Sequence, residues 1–501
     1  MTVGAESGPS GRRPGRVTDR EQVRQILDLS LRTGSHLLSS GAGTADVAAT
    51  MAALTSSYGV HGARHDITSA TIIVSVPRGV KGAPLTLMWS VEARALNYNR
   101  LRRTLDVVQE LSAHTPPLDR AHAALDAIDQ APEQYSNVVA SIALGVMAAA
   151  FAVLLGAGPL VAAIAWATTV VIDRIGLLLG SRGVPMLFRQ VAAGLIATGV
   201  TLTLEAFDSL PDDAAPSLVV ASNIVALMSG MAIVTALQDA ITGYELTSLG
   251  RFVQIMVSMV GIFLGIGAAL RIGAALGVSA QVHPVAVAGW LSLPILIAAG
   301  ALGSAGAAVA GYARPRAAIA AGIAGALGTA VYFSLIHIHA GNVAASFVAA
   351  TTIGFAGAVL ASRLRVPPLV IIMSGIIPLV PGVTMYHGFV SAIDGDLDDG
   401  LKLLVAAVGT AIALAGGVVL GPLLAPATRR HARQLARWSA VHGAVTDHRW
   451  LRGGPLGLLT VHPRPVHGDA QEQTASAGTE TAAAPDTDPP AADPPGGRSR
   501  D

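Results

Sequence analysis

SGIIPLVPGV, residues 374–383, lies in the middle of an apolar run, 367–390, long enough to cross a bilayer. Two prolines, Pro378 and Pro381, and two glycines, Gly375 and Gly382, interrupt what would otherwise be one helix. Proline removes a backbone donor and clashes with the preceding turn, and glycine weakens a helix entropically. In hydrocarbon the freed carbonyls find no water, so such a segment must be shielded by other helices or must line a polar cavity.

The composition around it has the same character. Of 501 residues, 52% are hydrophobic and 13% charged, a balance that points to an α-helical polytopic membrane protein. Cysteine is absent, which excludes disulfides, a thiol nucleophile and zinc–thiolate chemistry. A net charge of +1 gives no reason to expect a nucleic-acid partner. Residues 1–20 are Arg-, Gly- and Pro-rich without an apolar core, and read as a disordered leader rather than a signal peptide.

Residues 21–136 read as a soluble α+β domain. Val23, Ile26, Leu27, Leu31, Leu37 and Leu38 recur near helical period and Gly41 stops them. Thr44 is placed to cap a second helix that Gly59 ends. Strands are expected at 67–76 and 84–93, a third if VHGARHDI contributes, then helices at 97–113 and 118–130. Ten spans follow, near 137–156, 159–180, 185–206, 216–237, 250–271, 285–308, 315–336, 341–362, 367–390 and 402–424. They form five-helix blocks over 137–272 and 284–425, and 426–501 is a basic helix followed by a disordered tail.

Short loops fix the orientation. Arg174, Arg182, Arg189, Arg251, Arg314, Arg316, Arg363 and Arg365 fall on one side, and the acidic DSLPDDAAP and DGDLDD on the other. Both termini are therefore expected in the cytoplasm.

The opening motif occurs twice. SNIVALMSGMAIVTALQDAITG (222–243) and SGIIPLVPGVTMYHGFVSAIDG (374–395) share 7 of 22 ungapped positions at an offset of 152. Five spans per block force the two copies into opposite orientations. Inverted repeats with interrupted helices in matching places point to a secondary transporter with a midplane site. Kinked, close-packed helices that merely tolerate glycine are the competing explanation.

Several stretches resemble the threonine/serine exporters. They are GSHLLSSGAGTADVAATMAALTSSYGV with TSATIIVSV, IDRIGLLLGSRGVPMLFRQVAAG, IVALMSGMAIVTALQDAITGYELTSLGR and RLRVPPLVIIMSGIIPLVPGVTMYHG, spread over residues 25–425. The resemblance implies export of L-threonine and L-serine across the bacterial cytoplasmic membrane, driven by the proton motive force, with no cofactor. Relatives with the two halves on separate chains are linked to dicarboxylates, so a dicarboxylate substrate stays open. The first half reads LMSG where the second reads LVPG, a departure that puts the first interruption in doubt.

By position, the interrupted pair is Ser229, Gly230, Pro381 and Gly382. Together with Asn223 and Tyr386 they are the candidate substrate contacts. Asn223 could bind a hydroxyl or ammonium, or glue two helices. Asp173, Glu205, Asp239 and His387 are candidates for proton coupling or gating. Asp239 could instead answer Arg251, Asp173 could pair with Arg189, Glu205 could reach water, and His387 could be structural. His337 and His339 lie on different faces of a helix, so no metal site is expected.

In the N-terminal region Ser35, His36, Ser39, Ser40, His61, His65 and Asp66 suggest a hydrolase triad only superficially, because no G-x-S-x-G accompanies them. A membrane-anchored enzyme acting through 21–136 is the competing class, set against a gate, regulatory cap or assembly surface. No G-x-x-x-x-G-K-[ST] loop is present, so an ion or substrate gradient must supply the energy. Midspan Lys and Arg are scarce, which favours a zwitterion over a dicarboxylate. Homo-oligomerisation is left open.

Overall fold

The computed structural model describes residues 19–68, 70–78, 82–91, 96–207, 216–227, 230–278, 292–393 and 396–425. Its N-terminal part begins with α1 (Arg20–Ser39) and α2 (Thr44–Ser57). Asp19 caps α1 by accepting from the Glu21 N–H at 3.2 Å. Three antiparallel strands follow in the order β1 (Arg64–Ile67), β2 (Thr71–Arg78), β3 (Gly82–Ser90). α3 (Tyr98–His114) and α4 (Leu118–Asp129) complete this part.

Two local expectations shift. Gly43, not Thr44, is the N-cap of α2, and Thr44 is already helical. The first strand is RHDI: residue 68 turns the chain, with the Thr68 N–H donating to the Thr71 carbonyl at 2.8 Å, so β2 starts at Thr71 instead of 67. ITSATIIVSV has no glycine or proline to mark that turn.

The apolar bundle comprises α5 (Asn137–Leu154), α6 (Pro159–Ser181), α7 (Met186–Ala206), α8 (Pro216–Leu227), α9 (Gly230–Ile241) and α10 (Glu245–Ala275) in its first half. The second half contains α11 (Leu293–Ala310), α12 (Pro315–His337), α13 (Asn342–Leu364), α14 (Pro368–Ile376), α15 (Gly382–Ile393) and α16 (Leu397–Leu424). Eight of these helices are long and apolar enough to span a membrane singly; α14 and α15, bent by 44° at their break, form an apolar pair that makes up to nine if it crosses as one span. The stretch expected to form the fourth span falls on α8 and α9, twelve residues each, too short to cross alone.

Small residues let the helices approach at backbone distance. A Cβ on Gly265 of α10 would sit 2.1 Å from the Val191 carbonyl of α7, and one on Gly421 of α16 would sit 2.4 Å from the Thr351 carbonyl of α13. Between helices in hydrocarbon no water is released, so dispersion and close approach must hold them. α7–α10 and α13–α16 occupy equivalent places in the two halves, and α5 packs against α11 between them.

The N-terminal part is not a separate body. One apolar core runs from Ile26, Leu27, Met51 and Ile72 through Tyr98 and Leu101 into Ala308, Ala317, Ala321 and Val370 of α11, α12 and α14.

Candidate functional site

The second interruption has a simple local cause. α14 ends at Ile376, a 3-10 turn covers Ile377–Leu379, and Val380 is extended at φ −65°, ψ 132°. Pro378 and Pro381 have no N–H to offer the carbonyls one turn earlier. Substitute bonds close the gap: the Val380 N–H donates to the Ile377 carbonyl at 3.2 Å and the Gly382 N–H to the Val380 carbonyl at 2.8 Å. Ser304 of α11 donates its hydroxyl to the Gly375 carbonyl at 3.4 Å. Pro381 and Gly382 are both buried.

Tyr386, one turn into α15, is fully buried among Val220 of α8, Ile233 of α9 and Met259 of α10, so the second interrupted helix packs on the first. His387 is half-buried, its ring centroid 5.4 Å from that of Tyr386. In the first interruption Gly230 opens α9, while Ser229 lies outside the described residues. Asn223 of α8 turns toward α6: Thr169 donates to its Oδ1 at 2.7 Å, and its Nδ2 donates to the Val219 carbonyl at 2.9 Å. That arrangement serves as helix glue in this conformation.

The acidic candidates lie apart. Asp173 accepts a short hydrogen bond from Ser141 of α5 at 2.5 Å instead of pairing with Arg189, whose guanidinium lies over Gly180. Arg174 donates to the Asn137 carbonyl at 3.2 Å. Glu205, in the last turn of α7, keeps one buried carboxylate oxygen without a hydrogen-bond partner.

Asp239 is the most heavily engaged. It is buried near the end of α9, with Arg251 of α10 at 3.0 Å from Oδ2 as an ion pair without aligned hydrogen-bond geometry. Its Oδ1 accepts the Thr44 N–H at 3.2 Å. The first N–H groups of a helix lack intrahelical partners and carry partial positive charge, so a carboxylate suits them. Nearby, Thr247 of α10 donates to the Ile67 carbonyl at 2.8 Å.

Asp46 on the first turn of α2 reaches solvent on one side; burial of the other and the charge of Asp239 push its carboxyl above the usual range. Tyr244, in the turn before α10, is raised first by burial and then by Asp239, Asp46 and Asp66. Ser141, Thr169, Thr247 and Ser304 escape sequence reasoning, and Thr44 is read there only as a cap. They are ordinary helix residues whose partners are brought close only by the tertiary fold.

A cavity of about 300 Å³ opens between α9, α10, α15 and α16, lined by Ile233, Leu237, Phe252, Ile255, Met385 and Ala411 among others. Its walls are apolar except for Glu245 and Ser248, and such walls cannot satisfy a zwitterion. Among the described residues, no three His, Cys, Asp or Glu side chains converge as metal ligands.

Spanning helices with polar side chains bonded between them, and one helix pair bent at a double-proline turn, define a polytopic membrane protein. The family described as "Putative threonine/serine exporter" (ThrE) matches residues 28–273, and "Threonine/Serine exporter, ThrE" matches 296–424. A Mycobacterium tuberculosis (strain ATCC 25618 / H37Rv) protein named "Probable threonine/serine exporter" is 34% identical over 445 residues, 87% of this chain and 83% of the relative. The "Threonine/serine exporter" of Corynebacterium glutamicum is 34% identical over 430 residues, 85% of this chain and 87% of the relative. No solved structure matches. The chain belongs to the threonine/serine exporter family, a family of transporters and not of enzymes.

Proposed function

We propose that this chain exports L-threonine and L-serine from the cytoplasm across the cell membrane, driven by the proton motive force. The observation that carries the reading is the buried double-proline interruption between α14 and α15, seated through Tyr386 on the interrupted α8–α9 segment of a family exporter. Paired breaks of this kind offer backbone N–H ends to a carboxylate and carbonyl ends to an ammonium. The equivalent packing of α7–α10 and α13–α16 supports ten spans arranged as two inverted five-helix repeats, α8 with α9 forming the fourth and α14 with α15 the ninth.

In this reading Gly230, Pro381, Gly382 and Ser229 line the path, and Asn223 and Tyr386 border it. Asn223 meets the substrate only when its bond to Thr169 opens. Asp173, Glu205, Asp239 and His387 are the groups at which protons or gating movements act. Arginines at the α6–α7, α11–α12 and α13–α14 turns, with Arg251 in the second turn of α10, support an orientation with both termini inside. The scarcity of midspan Lys and Arg keeps a dicarboxylate second.

The test is efflux from proteoliposomes preloaded with labelled threonine, with and without an imposed proton gradient. Wild type should show gradient-stimulated efflux, and Gly382→Leu should lose it while remaining folded and inserted. Flux of a dicarboxylate and none of threonine or serine overturns the substrate assignment.

A further inference from the structure

The N-terminal part holds the two membrane halves by different kinds of contact. On the second half it is seated by apolar burial: Tyr98 is enclosed, its N–H donates to the Gly311 carbonyl at 2.8 Å, and it shares one apolar core with Val370 of α14. The continuous apolar core contains residues of α11, α12 and α14 and, among the described residues, none of α5–α10. Across the first half the hydrogen bonds and ion pairs described above are the Thr44–Asp239–Arg251 chain and the bond from Thr247 to the Ile67 carbonyl.

Fully buried apolar surface resists separation more than a few polar contacts, whose hydrogen bonds water can replace. When the halves rock against each other, one attachment must yield.

We infer that the N-terminal part is a gate permanently seated on the second half and latched to the α9–α10 turn through Asp239 and Thr247, and that release of this latch opens the path at that end of the bundle. The inference rests on the transporter reading above and adds a moving part to it. Tyr98 anchors the gate directly to the interrupted helix, so a shift at the break and release of the latch are mechanically linked.

The absence of cysteine makes the test direct. Thr68→Cys with Thr247→Cys places a thiol pair across the latch, and Leu96→Cys with Tyr312→Cys places one across the seat. A short reducible cross-linker should abolish threonine efflux in the latch pair, with recovery on reduction, and leave the seat pair active. Undiminished efflux from a fully cross-linked latch overturns the inference.

A second measurement needs no substrate and so separates this inference from the exporter assignment. Maleimide labelling of the buried Thr44→Cys should accelerate when Asp239→Ala removes the acceptor of its N–H, whereas Ala317→Cys, buried in the seat, should stay slow in both backgrounds. Equal labelling of Thr44→Cys with and without Asp239→Ala overturns the latch whatever the protein transports.

Discussion

The two faces of the N-terminal part differ in the way an anchor differs from a catch. Toward α11, α12 and α14 it shares one hydrophobic core; toward α9 and α10 it offers a helix N-terminus and a strand carbonyl to polar side chains. The same segment thus meets one half as a domain interior and the other as a reversible interface. Stability should depend on the first contact and transport rate on the second.

Removing the anchor should have the largest effect. Tyr98→Ala empties an enclosed aromatic site, so we expect a loss of about 3–5 kcal/mol. It should be read as a lower thermal midpoint in detergent. If the midpoint stays put, the seat is not the stronger contact.

His65 in β1, the strand whose Ile67 carbonyl makes the latch, comes next. Burial lowers its pKa from 6.5 to about 4, so the folded state holds the neutral ring. Its contribution is whole above the unfolded value near 6.5 and disappears as pH falls toward 4, up to about 3 kcal/mol. Thermal midpoints at pH 7.5 and pH 5 should converge in His65→Gln; an unchanged pH dependence would assign the effect elsewhere.

Arg251→Ala deprives buried Asp239 of its cation. Because Arg251 touches solvent, we expect about 2 kcal/mol, less than for a fully enclosed pair. The change should appear more in transport than in melting, and Asp239→Asn in the same background should restore part of it. The smallest effect, about 1 kcal/mol, is expected for Thr247→Val, which deletes one hydrogen bond. It should lower cross-linking yield at neighbouring latch positions without moving the seat.

Legibility in the sequence followed the range of the interactions. Helical periodicity located α1, and Gly41 and Gly59, both at positive φ, marked the ends of α1 and α2. The two prolines located the bend between α14 and α15, because their cause is local. Long-range partnerships were hidden. Thr44 looked like a cap, yet its amide is bonded to a carboxylate 195 positions away. Asp173 looked like an ion-pair partner for Arg189, but Ser141 sits closer in the folded bundle. Asp239 was singled out together with Arg251, and that pairing is present. The third member, α2, could not be inferred from spacing.

The length of α10 has a consequence outside the protein. Its 31 residues make a rod about 46 Å long, against a hydrocarbon slab about 30 Å thick. Such a rod must lean or protrude, and its first turns carry Glu245, Thr247 and Arg251. Gly265 lets α7 lie directly along it, so the two tilt as one beam. A change in bilayer thickness therefore bears on this pair of helices first, as lean or as the length left projecting at the end that carries Arg251.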